Sequence, residues 1–231
     1  SPYQIFQKVQ ENYASLLSYN DEGRIVTAVD DTTVTAASFT IRMARPNLYQ
    51  LEWNQYASAT PAAENTGVQA VWSSGAGDFI DLGWGVQRQY DRNIALDKAV
   101  ATSSSAAITV PQMFFNIQWQ VEHDDSLLDE KRLSDEKIGK VDCYVVAKEM
   151  ENGETRTFWI GKQDFLIRQI RTKLSGKAMQ QAWEEAAERP RAVIANFHDF
   201  SSIETHTNIV VNGMFSRGDF VPTFPLYQKS N

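Results

Sequence analysis

Cysteine is almost missing from this chain of 231 residues, and Cys143 is its one example. An internal disulfide and a zinc cluster built on cysteines are therefore excluded. Basic residues are in deficit, with 22 Lys and Arg against 29 Asp and Glu, for a formal charge of −7 and a pI near 5.0. That balance argues against a binder of duplex DNA or RNA, which needs a basic face to neutralise phosphates. No run approaches the roughly 20 apolar residues that a membrane-crossing helix requires. Ser1-Pro2-Tyr3-Gln4 carries no basic and apolar leader, so a soluble chain is expected, any signal segment having been removed before this numbering begins.

Enzyme signatures are missing too. There is no G-x-S-x-G elbow, no P-loop, no H-E-x-x-H and no G-x-G-x-x-G between a strand and a helix. The three histidines, His123, His198 and His206, have no local triad partners. Glu122-His123-Asp124-Asp125 most resembles a ligand set, but successive residues of an extended segment point in different directions. It reads as a solvated acidic loop. Neither catalysis, a cofactor nor a metal is expected. Cys143, between Asp142 and Tyr144 in a strand-like stretch, is expected to be a buried, unreactive thiol.

What the chain does have is a foldable composition, 42% hydrophobic and 22% charged, with 12 Phe, 8 Tyr and 6 Trp. One domain over residues 1–231 is expected, with a helical insertion near 93–122 and a C-terminal tail from about 221 to 231. Ile5, Phe6, Val9, Tyr13, Leu16 and Leu17 recur at helical spacing, which predicts an amphipathic helix laid on a core. Asn20, Asp21 and Gly23 break that pattern. Strands are predicted over 24–29, 33–45, 48–53, 67–73, 78–82 and 86–90, and in the second of these Phe39, Ile41 and Met43 alternate with polar or small residues.

Residues 93–101 read as a helix, Ser103-Ser104-Ser105 as a loop, and 111–122 as a second helix with Pro111 in its first turn. On that helix Met113, Phe114 and Ile117 share a stripe with Val110 and Val121, while Phe115 and Trp119 lie on another face. A helix with two apolar faces is buried on both or covers something that comes and goes. The stripe is expected to face the sheet near Phe39, Ile41, Met43, Leu51 and Trp53, as the lid of an apolar hollow. Residues 127–137 read as a charged, solvated connection. Strands follow over 141–150 and 154–160, flanking the turn Asn152-Gly153, then over 165–172, 193–200 and 207–211, with a helix over 178–188. Short strands in succession indicate an antiparallel meander, and the two runs are expected to form one sheet.

Two stretches carry a resemblance. Phe39 to Tyr49, with Arg45-Pro46 at its turn and Glu52-Trp53 after it, is similar to the strand, Arg-Pro turn and strand of the bacterial outer-membrane lipoprotein carrier (LolA-like) superfamily. Ser18 to Ile25 behind an amphipathic helix fits the same pattern. Gly139 to Val146, then Phe158-Trp159-Ile160-Gly161-Lys162 and Leu166-Ile167-Arg168, resembles uncharacterised LolA-like proteins of the DUF2092 type, with weaker matches at Asn208 and Phe215. The resemblance covers most of 3–220. It implies an α+β fold: a strongly curved antiparallel sheet of about eleven strands, an unclosed half-barrel, with helices across its concave face. It implies a periplasmic, non-enzymatic protein that binds lipids or lipoprotein acyl chains, with a lipid anchor through a missing N-terminus as one option. The alternative it leaves open is an envelope sensor that binds another protein. It also implies an arginine that holds the helical lid shut, for which Arg42 and Arg45 are the candidates, Arg45 fitting the Arg-Pro motif better.

Overall fold

A computed structural model of the chain describes residues 1–56, 65–100, 102–106, 108–117, 130–150, 153–186 and 197–223, the side chains of 65–66 and 182–186 excepted. Among them eleven strands form one antiparallel sheet. The first meander comprises β1 (Ser18–Val29), β2 (Thr32–Ala44), β3 (Leu48–Tyr56), β4 (Asn65–Ser73), β5 (Asp78–Asp81) and β6 (Gln87–Gln89). The second comprises β7 (Lys131–Ile138), β8 (Val141–Glu149), β9 (Glu154–Gly161), β10 (Ile167–Leu174) and β11 (Phe200–Val211). Their order, β6-β5-β4-β3-β2-β1-β11-β10-β9-β8-β7, joins the two meanders through β1 and β11 and leaves β6 and β7 as the edges of an open half-barrel. The two strand runs expected to share a sheet do so.

Alternation decides which face is buried. Phe39, Ile41 and Met43 on β2 lie opposite Trp53, Leu51 and Tyr49 on β3, and opposite Gly23, Asp21 and Tyr19 on β1. Cross-strand partners share a face, and the large apolar side chains of this one are buried. Gly23 is required there, because a Cβ in its place would stand 1.9 Å from the Phe39 ring, which lies across the strand.

The helices cover the same face. In α1 (Pro2–Ser15), Ser1 and Gln4 close a capping box and Pro2 occupies the first turn. Its buried stripe brings the Tyr13 ring 5.6 Å from Tyr19 and the Phe6 ring edge-on to Phe158 at 5.1 Å. The Tyr13 hydroxyl accepts a hydrogen bond from the Ile167 amide at 3.2 Å. α2 (Arg92–Val100) packs against β4, β5 and β6 through Ala95, Leu96 and Ala99. α3 (Thr109–Phe115) runs along α1, and α4 (Gly176–Ala186) connects β10 to β11. On the opposite face Cys143, Val145 and Trp159 make a small second cluster, and a 3₁₀ turn, Arg217–Phe220, buries Phe220.

The structure corrects four sequence expectations. β1 begins at Ser18, so Asn20 and Asp21 lie inside a strand, with a register shift against β11 between Asn20 and Glu22. The second lid helix does not run to Glu122: α3 ends at Asn116, whose left-handed backbone (φ 49°) closes it, and residues 118–129, including Trp119 and the Glu122 to Asp125 cluster, lie outside the described residues. The charged connection is partly β7, an edge strand exposed on both faces, so its sequence lacks an apolar period. Phe200 to Val211 is a single strand rather than the end of one and the whole of another.

Candidate functional site

The apolar floor of the site is set by strand period. Phe39, Ile41, Met43, Leu51 and Trp53 belong to one continuous cluster with Met113 and Phe114 of α3, and Ile117 packs against it. The route of contact differs from a simple stripe on the sheet. α3 leans along α1, and the ring contact that joins it to the sheet is Phe115, edge-on to Tyr49 at 6.0 Å. Tyr49 in turn donates its hydroxyl to Asp78 Oδ1 at 2.9 Å, and burial raises its pKa.

One guanidinium ties the covering helices together. Arg45 Nε donates to the Leu16 carbonyl (3.1 Å), and Nη2 to the Ala14 carbonyl (2.8 Å) and to the Phe114 carbonyl. These carbonyls belong to the last turns of α1 and α3, where a helix leaves its C=O groups without internal partners and carries its negative pole. Arg45 also stacks on the Phe114 ring, 4.7 Å from its centroid, and Arg92 lies 4.1 Å from the centroid of Phe115. Both phenylalanines of α3, edge-on to each other at 4.9 Å, thus carry a cation on one face. Arg42, three residues before Arg45, emerges on the helix-free face. It donates to Gln50 Oε1 at 3.1 Å and to the Asp219 carbonyl, beside the Phe215 ring.

Next to the apolar floor is a buried polar cluster that the sequence did not announce. His206 Nδ1 is 2.6 Å from Asp21 Oδ2, which also accepts the Tyr19 hydroxyl at 2.7 Å. His206 Nε2 is 3.1 Å from Glu204 Oε1. Burial alone would lower the imidazole pKa, but the charge of Asp21 and its hydrogen bond, with Glu204 behind it, raise it to about 10. His206 is therefore an imidazolium at neutral pH, and it pins the β1–β11 seam from inside. The Phe39 ring sits against it at 5.5 Å.

Beyond the first residues of α3 the same face is not filled. A hollow of about 330 Å³ lies between β1, β2, β9, β10 and β11 on one side and the α2–α3 loop on the other. A wider depression of about 580 Å³ opens among Glu22, Arg24, Glu52 and several threonines, with Phe39, Trp53 and Val68 also in its lining. Among the described residues no helix is long and apolar enough to cross a membrane.

No protein-family model matches the chain, and no curated protein does. Solved structures with a similar course of chain include LprF from Mycobacterium bovis (8% identity, covering 93% of this chain and 94% of that one, TM-score 0.47) and the lipoprotein LppX from Mycobacterium tuberculosis (9%, 93% and 97%, 0.47). A LolA superfamily protein from Nitrosomonas europaea is similar at 10% identity, over 96% of this chain and 98% of that one, with a TM-score of 0.35. The finer likeness to DUF2092-type proteins rests on sequence motifs alone.

Proposed function

We propose that this chain is a non-enzymatic carrier that takes up lipid or lipoprotein acyl chains between its curved sheet and its covering helices, in the periplasm as the resembled family does. The observation that carries this reading is Arg45: one side chain closes the ends of both α1 and α3 over an apolar floor. α3 has only seven residues, too short to be stable without its packing, and its removal would expose Tyr49, Leu51 and their neighbours as one apolar surface.

The energetics suit reversible carriage. Sixteen acyl carbons at about 0.8 kcal/mol per buried CH₂ supply on the order of 12 kcal/mol. Association costs of about 4–15 kcal/mol, and the cost of displacing α3, leave binding in the micromolar range or weaker for a single chain. Native mass spectrometry of the purified protein before and after organic extraction tests the reading. Copurified lipid that extraction removes and added fatty acid restores is the expected result. A protein that never carries or accepts lipid would contradict it.

A further inference from the structure

The unfilled hollow is chemically unlike the apolar floor beside it. Thr27, Thr35, Thr172 and Ser202 reach it from the sheet, and Ser104, Ser105 and Thr109 face them from the helical side, so seven of its thirteen lining residues carry a hydroxyl, beside the apolar Ile108, Ile170 and Phe200. Each hydroxyl both donates and accepts, a lining that matches an uncharged ligand with the same double capacity. One carboxylate is set among them. Glu204 is 6% exposed and lines the hollow, with its Oε1 held 3.1 Å from His206 Nε2. Across the hollow Arg156 is paired with Glu154, so the cavity offers no free cation to attract an anion.

We infer that this hollow is a binding subsite for a polyhydroxylated group of about monosaccharide size, with Glu204 accepting from the hydroxyls of a vicinal diol. Its volume is at the lower end of the roughly 300–1,000 Å³ of small-molecule sites. Two sources present this chemistry: a free polyol, or the sugar headgroup of an amphiphile whose acyl chain lies on the adjoining floor. Only the second rests on the proposed carrier function.

Calorimetric titration with D-glucose, with octyl β-D-glucopyranoside below its micellar concentration and with 1-octanol tests the inference, alongside saturation-transfer NMR with D-glucose. The glucoside is expected to bind about tenfold or more tightly than octanol. Glu204→Gln and Thr35→Val should each abolish that preference while octanol binding stays unchanged. Thr35→Val leaves the His206 ion pairs untouched, and melting curves verify that both variants fold. Saturation transfer to D-glucose alone, lost in the variants, supports a free polyol. A preference confined to the glucoside supports a headgroup. A wild-type protein that binds glucoside and octanol equally and shows no transfer to D-glucose overturns the inference, as do two folded variants that keep the wild-type preference. D-glucose binding without any fatty-acid binding would overturn the carrier reading and leave the polyol subsite standing.

Discussion

His206 is held between two carboxylates with no solvent-exposed side-chain surface, and its charge is tied to the folded state. Its folded pKa of about 10 exceeds the ordinary 6.5, so above pH 6.5 the unfolded chain binds fewer protons than the native one. The stabilisation is complete below pH 6.5 and is lost as pH rises towards 10. Melting temperature is therefore expected to fall between pH 7 and 10, and the His206→Gln variant to be less stable at pH 6 but flatter over that interval. A steeper alkaline decline in the variant would refute the assignment. Tyr13 and Tyr19, whose pKa values burial raises, extend the wild-type decline above pH 10. Gly23 is a second sensitive position. Gly23→Ala must expel the Phe39 ring from its place over β1 and is expected to cost about 1–3 kcal/mol in urea unfolding. Cys143 is buried and free, with burial raising its thiol pKa, so a thiol reagent should label the native protein far more slowly than the urea-unfolded chain.

At the level of elements, the proposed carrier function makes α3 the part that leaves. Its ring contact with the sheet is the Phe115–Tyr49 pair, Val110, Met113 and Phe114 share the sheet's apolar cluster, and it leans on α1 and is tied by Arg45. Its amides are expected to exchange with solvent through an opening well below global unfolding, while those of β1, β2 and β11 exchange only globally. Equal protection of α3 and β2 in native-state hydrogen exchange would mean that α3 is ordinary core. The elements also show where sequence reading succeeds. The alternation of Phe39, Ile41 and Met43 revealed β2 and the floor, because period and burial there have one cause. β7 was missed because an edge strand exposed on both faces has no such period. Asp21 reads as the end of a helical pattern rather than as part of a strand because its partner His206 is 185 residues away, and the same distance hid the whole buried cluster. The acceptors of Arg45 are backbone carbonyls, which leave no mark in sequence beyond the Arg-Pro turn itself.

Across the whole molecule, two meanders joined at β1 and β11 give a frame that does not depend on the lid. Among the described residues ten strand pairs hold it, and none of them involves α3. Under the proposed carrier function, ligand uptake is a population shift: binding requires the open form, and the apparent dissociation constant is the intrinsic one divided by the fraction open. Removing the Arg45 tie raises that fraction without removing any apolar contact to the ligand. Hydrogen bonds to a charged group contribute about 1.5–3 kcal/mol each where buried, less where water reaches them, so a loss near 1.4 kcal/mol, or about tenfold, is a modest expectation for Arg45→Leu. The decisive measurement is a titration of a fluorescent fatty acid against the wild-type protein and Arg45→Leu at equal ionic strength. The account predicts saturable micromolar binding to the wild type and binding about tenfold tighter to a folded Arg45→Leu variant. No saturable binding to either protein, or identical affinity in both, would contradict it.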